Sequence, residues 1–264
     1  MIISDSETVS GRLSKEHLEE SLAQIRDAGY AVLEGVLAPS EVKAIKEEYM
    51  SLFDDLRNFA DTERMQTSHS GTGHYQIQPR FSGLFGNPNV FANPLAVDCM
   101  RAVLGDDLRI AYYTSNISEP GSDYQQVHRD TKLLFGVETE VPTPPFMLVL
   151  NVLLQDFTTE NGSTEVWPGT HLLSDKNFEQ YPHEFERRSE ALGSLRLNAP
   201  AGSIIIRDVR LWHRGTPNRS PESRAMLSLV YKRKWYRMRY DKSLDAPTDT
   251  FKSWSSDVQD LFIP

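Results

Sequence analysis

Apolar residues recur three and four apart at the start of the chain, then give way to short runs punctuated by glycine, proline and asparagine. Between Ser14 and Ala28 they fall at Leu18, Leu22, Ile25 and Ala28 with charges between them, the one-face spacing of an amphipathic helix. Ser14 is the N-cap candidate and Gly29 the stop. Tyr30 to Leu37 reads as a strand bounded by turn residues. A second helix begins after Pro39-Ser40 and runs towards Arg57, with Val42, Ile45, Tyr49, Leu52 and Leu56 on one stripe.

From Ala60 to Ala92 the periodicity lapses into His, Gly, Pro, Gln, Asn and Phe, which predicts a long irregular segment of the kind that carries function or stays disordered. Its ring-bearing residues His74, Phe81 and Phe85 favour packing. After a short helix near Pro94 to Leu104, strands are expected at Leu108 to Ile117, Tyr124 to Asp130, Phe146 to Gln155, Ser163 to Trp167, Ser203 to Trp212 and Ala225 to Tyr231. Turn clusters such as Glu119-Pro120-Gly121-Ser122 and Thr159-Glu160-Asn161-Gly162 separate them. Many short strands so punctuated predict a mainly-β sandwich or jelly roll. No repeat and no linker is visible. The expectation is one domain over 1–264, with a helical flank at 1–60 and a β core at 105–240.

Composition adds exclusions. The 264 residues are 39% hydrophobic and 25% charged, a globular balance with enough apolar material for a core. Lys and Arg total 28 against 37 Asp and Glu, a net charge of −9, which argues against nucleic acid or an anionic membrane as partner. The lone Cys99 can build neither an internal disulfide nor a Cys-rich zinc site and suits a reducing compartment. Met1 to Ser10 lacks the features of a signal peptide, and Phe146 to Leu154, interrupted by Asn151, is too short to span a bilayer. A cytoplasmic protein that acts on a small molecule, as monomer or homodimer, is expected.

The chemistry-bearing residues lie on the expected strands. In Gln125-Gln126-Val127-His128-Arg129-Asp130, a strand puts His128 and Asp130 on one face and turns Arg129 away. An imidazole and a carboxylate on one face are two parts of a 2-His-1-carboxylate facial triad, which holds Fe(II) and leaves positions open for co-substrate and O2. His213, at the end of the strand Ser203 to Trp212, qualifies as the third ligand. The letters His-Arg-Asp also imitate a kinase catalytic loop, but Phe135 stands where its Asn belongs, Thr158 replaces the Gly of Asp-Phe-Gly, and no Gly-rich loop lies upstream. Arg224 follows His213 by eleven residues. If Gly215 to Ser223 joins an antiparallel pair, Arg224 opens the returning strand near the metal end, where a guanidinium suits a dicarboxylate.

With these residues in place, the chain resembles the phytanoyl-CoA dioxygenase-like family of Fe(II)/2-oxoglutarate oxygenases. The resemblance rests on the opening Asp27 to Leu37, on Gln125-x-x-His128-x-Asp130, on Glu160 to His171, and on Trp212-His213-Arg214-Gly215 through Arg224. It implies a double-stranded β-helix with flanking N-terminal helices, iron held by His128, Asp130 and His213, Arg224 on the distal carboxylate of 2-oxoglutarate, and hydrogen bonds to that co-substrate from Gln125 and Thr170. It further implies that 2-oxoglutarate and O2 are turned into succinate and CO2 while a C–H bond of a small organic molecule is oxidised, as in secondary metabolism. Related halogenases replace the metal carboxylate with a small residue. Asp130 is present, so hydroxylation, desaturation or oxidative rearrangement is favoured.

Other residues are open between two roles. His74, Tyr75 and Gln76 line a substrate entrance or a hydrogen-bonded loop, Phe135 packs in the core or touches substrate, and Asn151 faces the cavity or satisfies a strand edge. Gly162 and Gly169 read as turn formers. The basic run Lys232 to Arg239 reads as a solvated edge strand, or as a site for an anionic substrate such as a coenzyme A phosphate. The alternative to an enzyme is a non-catalytic jelly-roll protein that binds a metal or a small ligand.

Overall fold

A computed structural model of the chain describes residues 1–60, 64–67, 71–135, 141–174, 182–238, 244 and 246–262. A short helix α1 (Asp5–Ser10) leads into α2 (Lys15–Ala28), where the Ser14 hydroxyl accepts the His17 N–H as N-cap. Gly29 ends α2 at φ 89°, a left-handed conformation that glycine adopts without strain. Strand β1 (Tyr30–Leu33) and helix α3 (Pro39–Asn58) follow, with proline in the first turn of α3. The buried stripe of α3 is Val42, Ile45, Tyr49, Phe53 and Leu56, with Phe53 in place of the expected Leu52.

The expected irregular segment Ala60 to Ala92 contains two strands, β2 (Met65–Thr67) and β3 (His74–Ile77), and a turn of helix, α4 (Pro88–Phe91). Mixed side chains hide β3 in the sequence, because its stabilising partner is β4, forty residues on. Helix α5 (Pro94–Leu104) precedes β4 (Leu108–Ser118), β5 (Met147–Leu153), β6 (Glu165–Val166), α6 (Pro182–Ala191), β7 (Leu195–Arg196), β8 (Ile204–Asp208), β9 (His213–Arg214) and β10 (Arg224–Arg233). Helices α7 (Thr248–Ser253) and α8 (Ser256–Gln259) complete the order.

The strands form two antiparallel sheets, a larger one in the order β1-β8-β5-β10-β4-β3-β2 and a smaller one in the order β7-β6-β9. They face each other across a cavity, with helices packed outside, which is the double-stranded β-helix expected. Pleating divides the large sheet between two jobs. Leu148, Leu150 and Val152 of β5, Ile204 and Ile206 of β8, and Leu227 and Leu229 of β10 point outward into one core with Ile25, Ile45, Phe91 and Met100 from the helices. Truncating a leucine in such a core to alanine costs about 2–5 kcal/mol. The alternate residues face the cavity in cross-strand rows: Gln76, Asn116 and Met226 in one, Thr114, Ser228, Asn151 and Ile205 in the next, Tyr112, Val230, Val149 and Arg207 in a third.

Two other expectations change. Among its described residues, Lys232 to Met238, the basic run does not form an edge strand. Its first residues, Lys232 and Arg233, end the central strand β10, and the Arg233 guanidinium donates to the carbonyls of Val103 and Leu104 at the C-terminus of α5. The strand expected over Ser203 to Trp212 stops at Asp208, whose carboxylate takes both the backbone N–H and the guanidinium of Arg210 and turns the chain towards His213. Among the described residues no helix is long and apolar enough to cross a membrane.

Candidate active site

His128 and Asp130 lie on an extended segment that is not a continuous strand. His128 exchanges both backbone hydrogen bonds with His213, each 3.0 Å, while the next bonds outward, Gln125 N–H to Gly215 and Asp130 N–H to Val209, are unevenly spaced. The uneven register breaks the expected strand Tyr124 to Asp130 into a single bridge, and that bridge brings the two histidines together, ring centroids 4.3 Å apart. On the outer side Val127, Trp167, Phe185 and Trp212 pack as a separate apolar cluster, and the Arg129 guanidinium lies over the Phe185 ring at 5.0 Å. Arg129 therefore does turn away from the site, as alternation predicts.

One ligand atom from each of His128, Asp130 and His213 lies within 4.8 Å of the others, so these three could hold a metal ion. Their remaining atoms are occupied. His128 Nδ1–H donates to the Gln126 carbonyl at 2.8 Å and His213 Nδ1–H to the Leu211 carbonyl at 2.9 Å, since a carbonyl only accepts. Both Nε2 lone pairs are left facing the cavity. Arg207 Nη1 also comes within 3.1 Å of His213 Nδ1, donor against donor, and is held there by its partner Nη2, which donates to Asp130 Oδ2 at 2.7 Å. Oδ1 of Asp130 remains, 3.3 Å from His213 Nε2 and 3.8 Å from His128 Nε2. Burial raises the Asp130 pKa, but Arg207 and the two histidines outweigh it and keep the carboxyl well below its ordinary range. Two imidazoles with Nε2 towards the cavity and an ionised carboxylate on one face are a donor set that fits Fe(II).

Arg224 opens β10 and lines the same cavity. The residue is 3% exposed, and its guanidinium lies 4.6 Å over the Phe157 ring and makes no hydrogen bond or ion pair among the described residues. Burial, with the charge of Arg196, pulls its pKa down to about 10, which still leaves it cationic at neutral pH. A buried cation without an anion is unfavourable unless a ligand supplies one. Gln125 stands nearby on the wall, its Oε1 accepting the Gly215 N–H at 2.8 Å. A Cβ at position 215 would stand 2.7 Å from Gln125 Oε1 and 3.0 Å from His74 Cε1, so a larger residue there would displace the Gln125 side chain.

His74, Tyr75, Gln76 and Asn151 also line the cavity, the His74 ring fixed by Nε2–H donating to the Asp123 carbonyl and Asn151 donating to Ser228 at 2.9 Å. Thr170 does not. Its hydroxyl donates to the Trp167 carbonyl at 2.6 Å and accepts the Trp212 N–H at 2.9 Å, so both functions are spent on the turn that presents His213. Phe135 is neither core nor cavity wall: it is 67% exposed and borders a separate pocket with Leu133, Leu134 and Arg210. The sequence reading missed Arg207, although a charged pair closing the run Ile204-Ile205-Ile206 is a signal that something polar faces its end.

Fold and donor set together are those of the Fe(II)/2-oxoglutarate-dependent oxygenases. Within them, the chain belongs to the phytanoyl-CoA dioxygenase (PhyH) family, whose sequence profile matches residues 25–226. Dioxygenase af480 of Aspergillus fumigatus is 24% identical over 93% of this chain and 76% of its own length. The iron/alpha-ketoglutarate-dependent dioxygenase ausU of Aspergillus calidoustus is 23% identical over 86% of this chain and 75% of its own. Among solved structures, the non-heme alpha-ketoglutarate-dependent epimerase SnoN of nogalamycin biosynthesis superposes with a TM-score of 0.62 at 24% identity, covering 83% of this chain and 82% of that one. A second structure of SnoN, with Fe3+, alpha-ketoglutarate and nogalamycin RO, matches with a TM-score of 0.57 at 23% identity over 83% of this chain and 84% of that one. The structural likeness establishes the fold.

Proposed function

We propose that this protein is an Fe(II)/2-oxoglutarate-dependent dioxygenase that oxidises an unactivated C–H bond of a small organic molecule by hydroxylation, desaturation or oxidative rearrangement, releasing succinate and CO2. The observation that carries the reading is that a buried guanidinium, Arg224, with no hydrogen bond or ion pair among the described residues, shares one cavity with the convergent donors of His128, Asp130 and His213. A metal-binding cluster alone would suit a storage or structural site. A dicarboxylate clamp beside it suits 2-oxoglutarate.

In this reading His128, Asp130 and His213 hold the iron, and Arg224 with Gln125 holds 2-oxoglutarate; together the two groups supply O2 activation and the power to oxidise a C–H bond. The chain's own share is positional. The Gln126 and Leu211 carbonyls fix the two imidazole tautomers, Arg207 aims Asp130, and the sheet rows enclose the reacting bond and limit water. A natural-product substrate agrees with the nogalamycin compound bound to SnoN.

The test is anaerobic addition of Fe(II) and 2-oxoglutarate, read as the visible charge-transfer band of a chelated 2-oxoglutarate. The wild type should develop the band and His213→Ala and Asp130→Ala should lose it. A non-catalytic binding protein of this fold predicts no band, and an undiminished band in both variants would remove these residues from the metal.

A further inference from the structure

We propose that the substrate is an uncharged molecule with several oxygen functions along one side, read by a wall of neutral polar side chains on β3 and β4: Gln76, Asn116 and Tyr112. The inference rests on reading the cavity as an oxygenase active site. It goes further by assigning what the rest of the cavity recognises.

The polar groups of the cavity fall into two sets. Thr114 donates to the Ile77 carbonyl at 3.1 Å and Asn151 donates to Ser228 at 2.9 Å, so both are used inside the protein. The side chains of Gln76, Asn116 and Tyr112 line the cavity and have no hydrogen-bond partner among the described residues. Gln76 stands opposite Asn116 across β3 and β4, and Tyr112 lies four residues from Asn116 along β4, on the same face. Two carboxamides and a phenol offer five N–H or O–H donors and several acceptor lone pairs, and half-buried groups of this kind are costly unless a ligand or water pairs them. Elsewhere the cavity is lined by Val149, Leu197, Ile205 and Met226. The occupant that satisfies both surfaces is oxygenated on one side and hydrocarbon on the other.

Charge narrows the class. The cations lining the cavity among the described residues are Arg207, paired with Asp130, and Arg224, which the co-substrate takes. Strand β4 adjoins β10 and β3 lies one strand further, so Asn116 and Tyr112 stand about 5 Å and Gln76 about 10 Å from the strand that carries Arg224, and in the loaded enzyme both arginines already have their anions. A carboxylate or a coenzyme A phosphate placed against this wall would lose its hydration with no cation to compensate it. A hydroxyl, ketone, ester or lactone oxygen would find a donor.

Methyl cholate is a suitable probe, an uncharged tetracycle with three hydroxyls on one face. With the protein loaded anaerobically with Fe(II) and 2-oxoglutarate, calorimetric titration should show methyl cholate binding at least about tenfold tighter than cholate, than methyl cholanate (which lacks the hydroxyls), and than decanoyl-coenzyme A. Asn116→Leu and Gln76→Leu should each weaken methyl cholate by about threefold to tenfold, Asn116→Thr by less, with the charge-transfer band unchanged in all three. The proposal is overturned by cholate or decanoyl-coenzyme A binding as tightly as methyl cholate, by methyl cholanate matching it, by methyl cholate failing to bind, or by the variants leaving its affinity intact. Absence of the band before any sterol is added would instead count against the oxygenase reading itself.

Discussion

Arg207 and Arg224 are both buried in the wall of one cavity, on strands of one sheet, and their surroundings are opposite. Arg207 donates to Asp130 at 2.7 Å and packs against the His213 ring, so its charge is neutralised within the protein. Arg224 has an aromatic ring beneath it, a second arginine, Arg196, close enough to lower its pKa, and no anion among the described residues. A folded chain retains such an arrangement when the missing charge arrives from outside. The paired arginine therefore belongs to the architecture of the site and the unpaired one to its ligand.

The sharpest way to break this comparison is to remove each charge with a side chain of similar length. Arg207→Met takes away the buried cation that Asp130, itself open to solvent at the cavity, accepts from, a change expected to cost about 1–3 kcal/mol. The expected outcome is a clear drop in Tm and Fe(II) affinity lower by about tenfold to a hundredfold, since the carboxylate loses the group that aims it. Iron affinity unchanged in a folded Arg207→Met protein would show that the bond to Asp130 is incidental.

Arg224→Met should do the reverse. Without ligand its Tm should equal or exceed that of the wild type, because a buried charge has been replaced by an apolar group. Its affinity for 2-oxoglutarate should fall by roughly a hundredfold or more, about 2.7 kcal/mol, and the stabilisation that 2-oxoglutarate gives the wild type should vanish. Fe(II) should still bind. A ligand-free Tm as low as that of Arg207→Met would place Arg224 among the structural arginines.

The same contrast explains what was legible in the sequence. Ser14 and Gly29 set helix ends through bonds to residues within a few positions, and Pro39 through its fixed φ, so their roles can be read from neighbours alone. His128 and Asp130 are visible because a two-residue spacing in extended chain puts them on one face. The charge of Arg207 stands out after three isoleucines, but its role cannot be read because the carboxylate that explains it lies 77 residues earlier, and β3 is hidden because its side chains alternate weakly and only β4 makes it a strand. Phe135 follows the ligand segment closely, but the chain turns outward after Asp130 and leaves the ring in solvent. The residues that the family resemblance names for iron and co-substrate, His128, Asp130, His213 and Arg224, line one cavity. The resemblance had no purchase on which neighbouring hydroxyls are consumed within the protein.

Thr170 is the residue on which that last point turns, and it offers the smallest but cleanest measurement. The resemblance suggested a hydrogen bond to 2-oxoglutarate, whereas the hydroxyl bridges the Trp167 carbonyl and the Trp212 N–H, one residue before His213. Thr170→Val keeps the shape, removes the bridge and strands the buried Trp212 N–H, while the Trp167 carbonyl keeps the Thr170 N–H, at a cost of about 2 kcal/mol. In a chain of this size that corresponds to a fall in Tm of about 4–8 °C. Because the bridge positions a turn and touches no ligand, the dissociation constant for 2-oxoglutarate should stay within about twofold of wild type, a shift of under 0.5 kcal/mol. A tenfold loss of 2-oxoglutarate affinity with an unchanged Tm would return Thr170 to the co-substrate and make the bridge a feature of the ligand-free state alone.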